Sequence, residues 1–110
     1  MTTKQITDNF VNTAVDTIQT AYIAPTDKNV IIESMSIVNN SGVNASYKVY
    51  IVSDGGTVYP IIPFKTAVWG EPLLGIGVVN QAIPAGGALK VESSALASIY
   101  FTTTGREITL

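Results

Sequence analysis

The chain has 110 residues, is 46% hydrophobic and only 13% charged, and carries six Lys and Arg against eight Asp and Glu. It contains neither Cys nor His, which excludes disulfides, thiolate chemistry and cysteine zinc sites and removes the commonest general base and metal ligand. A net charge of −2 argues against a basic nucleic-acid-binding surface.

The length fits one domain with a core large enough to fold without cross-links. Its charged share of 13% is about half of the roughly 25% usual for soluble domains. So small a domain with so few charges has little colloidal protection unless other protein covers much of its surface.

The opening Met1-Thr2-Thr3-Lys4-Gln5-Ile6-Thr7-Asp8 has no apolar h-region, so no secretory signal is expected and synthesis is expected in the cytoplasm. Ile6, Phe10, Val11, Ala14, Val15, Ile18 and Tyr22 fall at helical spacing. The Thr, Asn and Asp between them are weak helix formers, which favours two short strands, or an extended arm and then a strand near Asp16 to Tyr22. The domain division is then 1–15 as an N-terminal arm or first strand and 16–110 as the body.

Asn29 to Asn39 is the first clear strand, with Ile31, Glu33, Met35 and Ile37 on one face and Ser34 and Ser36 on the other. Asn40-Ser41-Gly42 marks a turn. Ala45 to Ser53 alternates Tyr47, Val49 and Ile51 against Lys48 and Tyr50, and Asp54-Gly55-Gly56 closes it. Val58 to Ile62 follows. Pro60 and Pro63 lack the N–H of a central strand, so this segment reads as an edge strand or ordered loop running on to Trp69.

Gly70-Glu71-Pro72 turns into a strand from Leu73 to Val79, in which Gly75 and Gly77 mark the close approach of another backbone. Ala85-Gly86-Gly87 leads into Ala88 to Ser93, where Leu89 and Val91 alternate with Lys90 and Glu92. Ala97 to Thr103 sets Ile99 and Phe101 against Tyr100 and Thr102. Gly105 breaks that strand, and Glu107 to Leu110 forms a short last one. Turn signals about every 8–12 residues imply an all-β fold, a single antiparallel β-sandwich of jelly-roll or immunoglobulin-like type with an extended N-terminal arm. The charge-free run from Pro72 to Leu89 reaches the length of a short membrane span. Asn80, Gln81, Pro84 and Gly86-Gly87 interrupt it, so no membrane partner is expected.

No catalytic, metal or cofactor residue emerges. Gly75-Ile76-Gly77 lacks the third glycine of a dinucleotide fingerprint and the Gly-Lys-Ser/Thr of a phosphate loop. Ser46 and Lys48 share a strand face with no third group to make a dyad. The carboxylates do not cluster, and no D-x-D-x-D loop exists for calcium. Trp69 and the tyrosines fit either a carbohydrate-stacking platform, as in a carbohydrate-binding module, or ordinary core and interface packing.

Three segments carry a resemblance. Ala21-Tyr22-Ile23-Ala24-Pro25-Thr26-Asp27-Lys28-Asn29-Val30-Ile31-Ile32 resembles a "Y-T-A-P-A-G-K-T" turn entering a long apolar strand. Ala82-Ile83-Pro84-Ala85-Gly86-Gly87-Ala88-Leu89-Lys90-Val91 resembles an "L-x-A-G-D" turn, and Tyr100 to Ile108 a closing "G-x-E-I" strand. All three, in this order, are similar to small β-sandwich virion structural proteins of tailed bacteriophages. Thr26-Asp27 and Gly87 depart from that pattern, and Pro60 to Val79 has no close counterpart in it.

The resemblance implies a non-enzymatic protein located in the virion: a capsid decoration (cement) protein, or alternatively a tail, neck or baseplate component. Its implied partners are the major capsid protein or other virion proteins, and its implied state is a homo-oligomer, a trimer at three-fold positions. Contacts would then fall on apolar and aromatic residues, Phe10, Tyr22, Ile61, Ile62, Phe64 and Trp69. The segment Met1 to Asn12 would lie along a neighbour by strand addition.

Overall fold

The computed structural model describes residues 3–69 and 71–109. Its strands are β1 (Thr3–Val11), β2 (Gln19–Ile23), β3 (Lys28–Asn39), β4 (Ala45–Val52), β5 (Val58–Ala67), β6 (Pro72–Leu74), β7 (Ala82–Ile83), β8 (Ala88–Ser93) and β9 (Ile99–Thr109), with a 3-10 turn at Ile76–Val78. They form two antiparallel sheets. One runs β1-β9-β3-β6, with β7 also on β3, and the other runs β2-β8-β4-β5. Apart from the β4–β5 hairpin and the passage from β6 to β7, each connection crosses between sheets. This order, with first and last strands side by side, is the double Greek key of a jelly roll.

Strict alternation builds the inner faces. Tyr47, Val49 and Ile51 of β4, Leu89 and Val91 of β8, and Ile99 and Phe101 of β9 are buried. The Tyr47 and Phe101 rings meet edge to face across the sandwich at 6.0 Å, a favoured aromatic geometry. β5 is an edge strand, where Pro60 and Pro63 forfeit no ladder bond to a further strand.

Four expectations are corrected or decided. The segment 3–11 is neither helix nor free arm: it pairs with β9, and Ile6 and Thr7 are buried. The alternative of a first strand is the one formed, because its apolar residues complete the core. In β3 the register with β9 slips between Ile32 and Ser34. The extra residue at this bulge reverses the alternation, so Val30 and Ile32 face the core, while Glu33 turns out to Arg106 at 3.3 Å.

The expected strand from Leu73 to Val79 stops at Leu74. Gly75 is needed there because a β-carbon would stand 2.8 Å from Met35 Sδ, a side chain and not another backbone. Finally, Gly105 does not break β9, which runs unbroken from Ile99 to Thr109. Gly70 of the expected turn and Leu110 of the expected last strand lie outside the described residues.

The Tyr47 hydroxyl is buried with no hydrogen-bond partner among the described residues, and such a group costs about 1–3 kcal/mol. Tyr47→Phe is therefore expected to raise stability by about 1 kcal/mol, read as a higher urea midpoint. Burial raises the Tyr47 pKa above 10.0, and burial is also the main cause of the upward shifts at Tyr22 and Tyr50. The folded state thus holds these protons more tightly than the unfolded chain does. That contribution is complete below pH 10 and is lost as pH rises through the folded values. Stability should fall in alkali, and less steeply in Tyr47→Phe.

Candidate interaction surface

The strand register gathers four connections at one end of the sandwich. Val11 lies beside Tyr100, Ile99 beside Asn39, Val38 beside Pro72, Ala45 beside Ala67 and Tyr47 beside Ser93. Residues 12–18, 40–44, 68, 69, 71 and 94–98 therefore emerge together. The opposite end carries residues 24–27, 53–57 and 84–87, rich in Asp, Thr, Pro and Gly.

The two ends differ in chemistry. Of the eleven large hydrophobic residues exposed among the described residues, six (Val15, Ile18, Val43, Val68, Trp69 and Leu96) lie in these four loops. Val43, Trp69 and Leu96 are 65%, 53% and 56% exposed. Such clustering makes this end a candidate contact surface, whereas scattered exposed apolar residues need no explanation. The loops contain two charged residues, Asp16 and Glu71, while all six cations lie in strands. Lys4, Lys28, Lys48 and Arg106 are tied there in ion pairs with Glu107, Glu92 and Glu33.

The loops brace one another. Asn39, 1% exposed, donates its amide to Val43 O and Ala67 O at 2.8 Å each and accepts Ser41 N–H at 2.9 Å. Asn44 Oδ1 accepts Trp69 N–H at 3.2 Å, so the loop after β3 carries the loop after β5. Asn40 N–H donates to Ser98 O, and the Ser94 hydroxyl accepts Ser46 N–H. Ala97 N–H donates to Asn12 O, and Asp16 N–H to Ser93 O. Asp16 and Ala97 are held at φ of 52° and 48°, a left-handed conformation that costs a non-glycine residue energy and persists only where surroundings impose it. Contact residues on such a frame lose little entropy on binding.

The residues expected to make contacts do not converge. Trp69 stands on the loop end. Phe10 and Tyr22 are half-buried on β1 and β2 and pack against the core, to which Ile62 belongs. Ile61 lines a hollow on the flank of the sandwich. Phe64 lies on β5, and its side chain is outside the described residues. Val15, Ile18, Val43, Val68 and Leu96 escaped the sequence reading. Their one signal was local: apolar residues standing inside turn segments such as Ser41-Gly42-Val43-Asn44 and Ser94-Ala95-Leu96-Ala97-Ser98.

Fold and surface together define a jelly-roll sandwich with one braced, apolar loop end. Searches against protein families, curated proteins and solved structures return no match to the chain.

Proposed function

We propose that the chain is a non-enzymatic structural protein of a tailed-bacteriophage virion, a capsid decoration protein that attaches through its loop end. The observation that carries this reading is the gathering of exposed apolar side chains on one hydrogen-bonded, nearly charge-free end. Burying that end against assembled protein removes apolar area from water, worth roughly 25 cal/mol per Å² before association costs. A domain that binds only the assembled shell shifts the equilibrium towards it, and symmetric copies multiply a weak contact through avidity. Jelly rolls recur in capsid and lectin domains alike, so the fold supplies a scaffold and the loop end supplies the argument.

The test is mass spectrometry of purified particles assembled with the wild-type chain or with Trp69→Asp/Leu96→Asp. Wild type should be present in numbers comparable to the shell subunits. The double variant should fold normally, since both side chains are exposed, and be lost from particles. A count of only a few rings per particle would place the protein in the tail or neck instead. Absence of the wild-type chain from particles, or equal retention of the double variant, would defeat the reading.

A further inference from the structure

We propose that the flank of the sandwich carries a second, independent site, one that binds a neutral sugar ring. Between the edge strand β5 and the segment from β7 to β8 lies a hollow of about 360 Å³, within the range of small-molecule sites. Ile51, Ile61, Ala82 and Pro84 give it apolar walls, Tyr59 an aromatic one, and Asn29 and Gln81 two amides. Tyr59 is 52% exposed, although it lies opposite buried Ile51 in the β4–β5 ladder.

The chemistry of the lining selects the ligand. Among the described residues no charged side chain lines the hollow, so neither an anion nor a cation finds a counter-charge there. A purely aliphatic occupant would strip water from the Asn29 and Gln81 amides and return nothing, which is costly for polar groups. A pyranose answers both demands: its C–H face packs on an aromatic ring, and its hydroxyls donate to and accept from amides. Asn29 Oδ1 already accepts Ala85 N–H at 2.9 Å, which leaves its NH₂ group as the end presented to a ligand.

The wall is preformed. Ile32 N–H donates to Gln81 O at 2.9 Å, Asn80 N–H to Ile32 O at 2.7 Å and Gly87 N–H to Pro84 O at 2.8 Å. β7 is also paired to Val30 and Ile31 of β3. The hollow lies towards the end opposite the apolar loops, so it stays open when those loops are covered.

The experiment is NMR titration of the whole chain with the methyl glycosides of glucose, galactose, mannose and N-acetylglucosamine, with indole as an apolar comparison. At least one glycoside should shift the amides of Tyr59, Gln81 and Ala82 at millimolar concentration. Tyr59→Ala should weaken that binding about tenfold or more, the loss of a single stacking contact. Tyr59→Phe, which keeps the ring, and Trp69→Ala, on the other end, should leave it nearly unchanged. Spectra of the free variants check that each remains folded. No shift with any of the four glycosides overturns the proposal. So do shifts centred on Trp69, or a hollow that responds to indole and to no sugar.

Discussion

Gly105→Val is expected to destabilise the fold by about 3 kcal/mol, although valine is among the best strand formers and glycine among the worst. Residue 105 lies mid-strand in β9, between Lys4 of β1 and Ile32 of β3. Both neighbouring strands slip register beside it, β1 between Gln5 and Thr7 and β3 between Ile32 and Ser34. A β-carbon at residue 105 would stand 2.8 Å from Ile31 O and 3.2 Å from Val30 Cγ1. The first of these is backbone in the sheet interior and cannot rotate away. Propensity and packing therefore predict opposite signs, the former spanning about 1 kcal/mol. Urea unfolding decides between them: a lowered midpoint at unchanged slope, with Gly105→Ala intermediate, is the expected result. A valine variant as stable as wild type would show that the sheet has room there.

Gly105 also shows where sequence patterns stop being informative. A glycine after Thr102-Thr103-Thr104 reads as a breaker because the pattern carries only local propensity. Its purpose is to admit a carbonyl from β3, more than seventy positions earlier in the chain. The reversed face of β3 has the same origin. Ile31, Glu33, Met35 and Ile37 keep perfect period-two spacing, and nothing local announces the extra residue at Glu33. By contrast β4 alternates without a break from Ala45 to Ile51 and β8 from Leu89 to Ser93, and their inner faces were legible residue by residue. The loop end was hidden for a third reason. Its members come from four connections far apart in sequence, and only the Greek-key crossings bring Val15, Val43, Trp69 and Leu96 to one end.

Asn39→Ala should cost about 2–3 kcal/mol, a large effect for one amide, and should loosen the loop end before it loosens the core. The side chain satisfies Val43 O, Ala67 O and Ser41 N–H at once. Ala67 is fully buried, so its carbonyl has little recourse to water once the amide is gone. Asn39→Asp should be worse still. One carboxylate oxygen would keep Ser41 N–H, while the other would face two carbonyl oxygens with no proton to give them. This ranking separates a hydrogen-bonding role from simple space filling, in which the nearly isosteric Asp would be the milder change. Amide exchange in Asn39→Ala should quicken at Val43, Asn44 and Trp69 while the amides of Val49 and Val91 stay protected. Under the function proposed above, attachment to particles should weaken in step, because loops freed of their brace must be ordered again on binding. If exchange quickened equally throughout, Asn39 would be a core residue like any other, and the rigidity of the loop end would need another source.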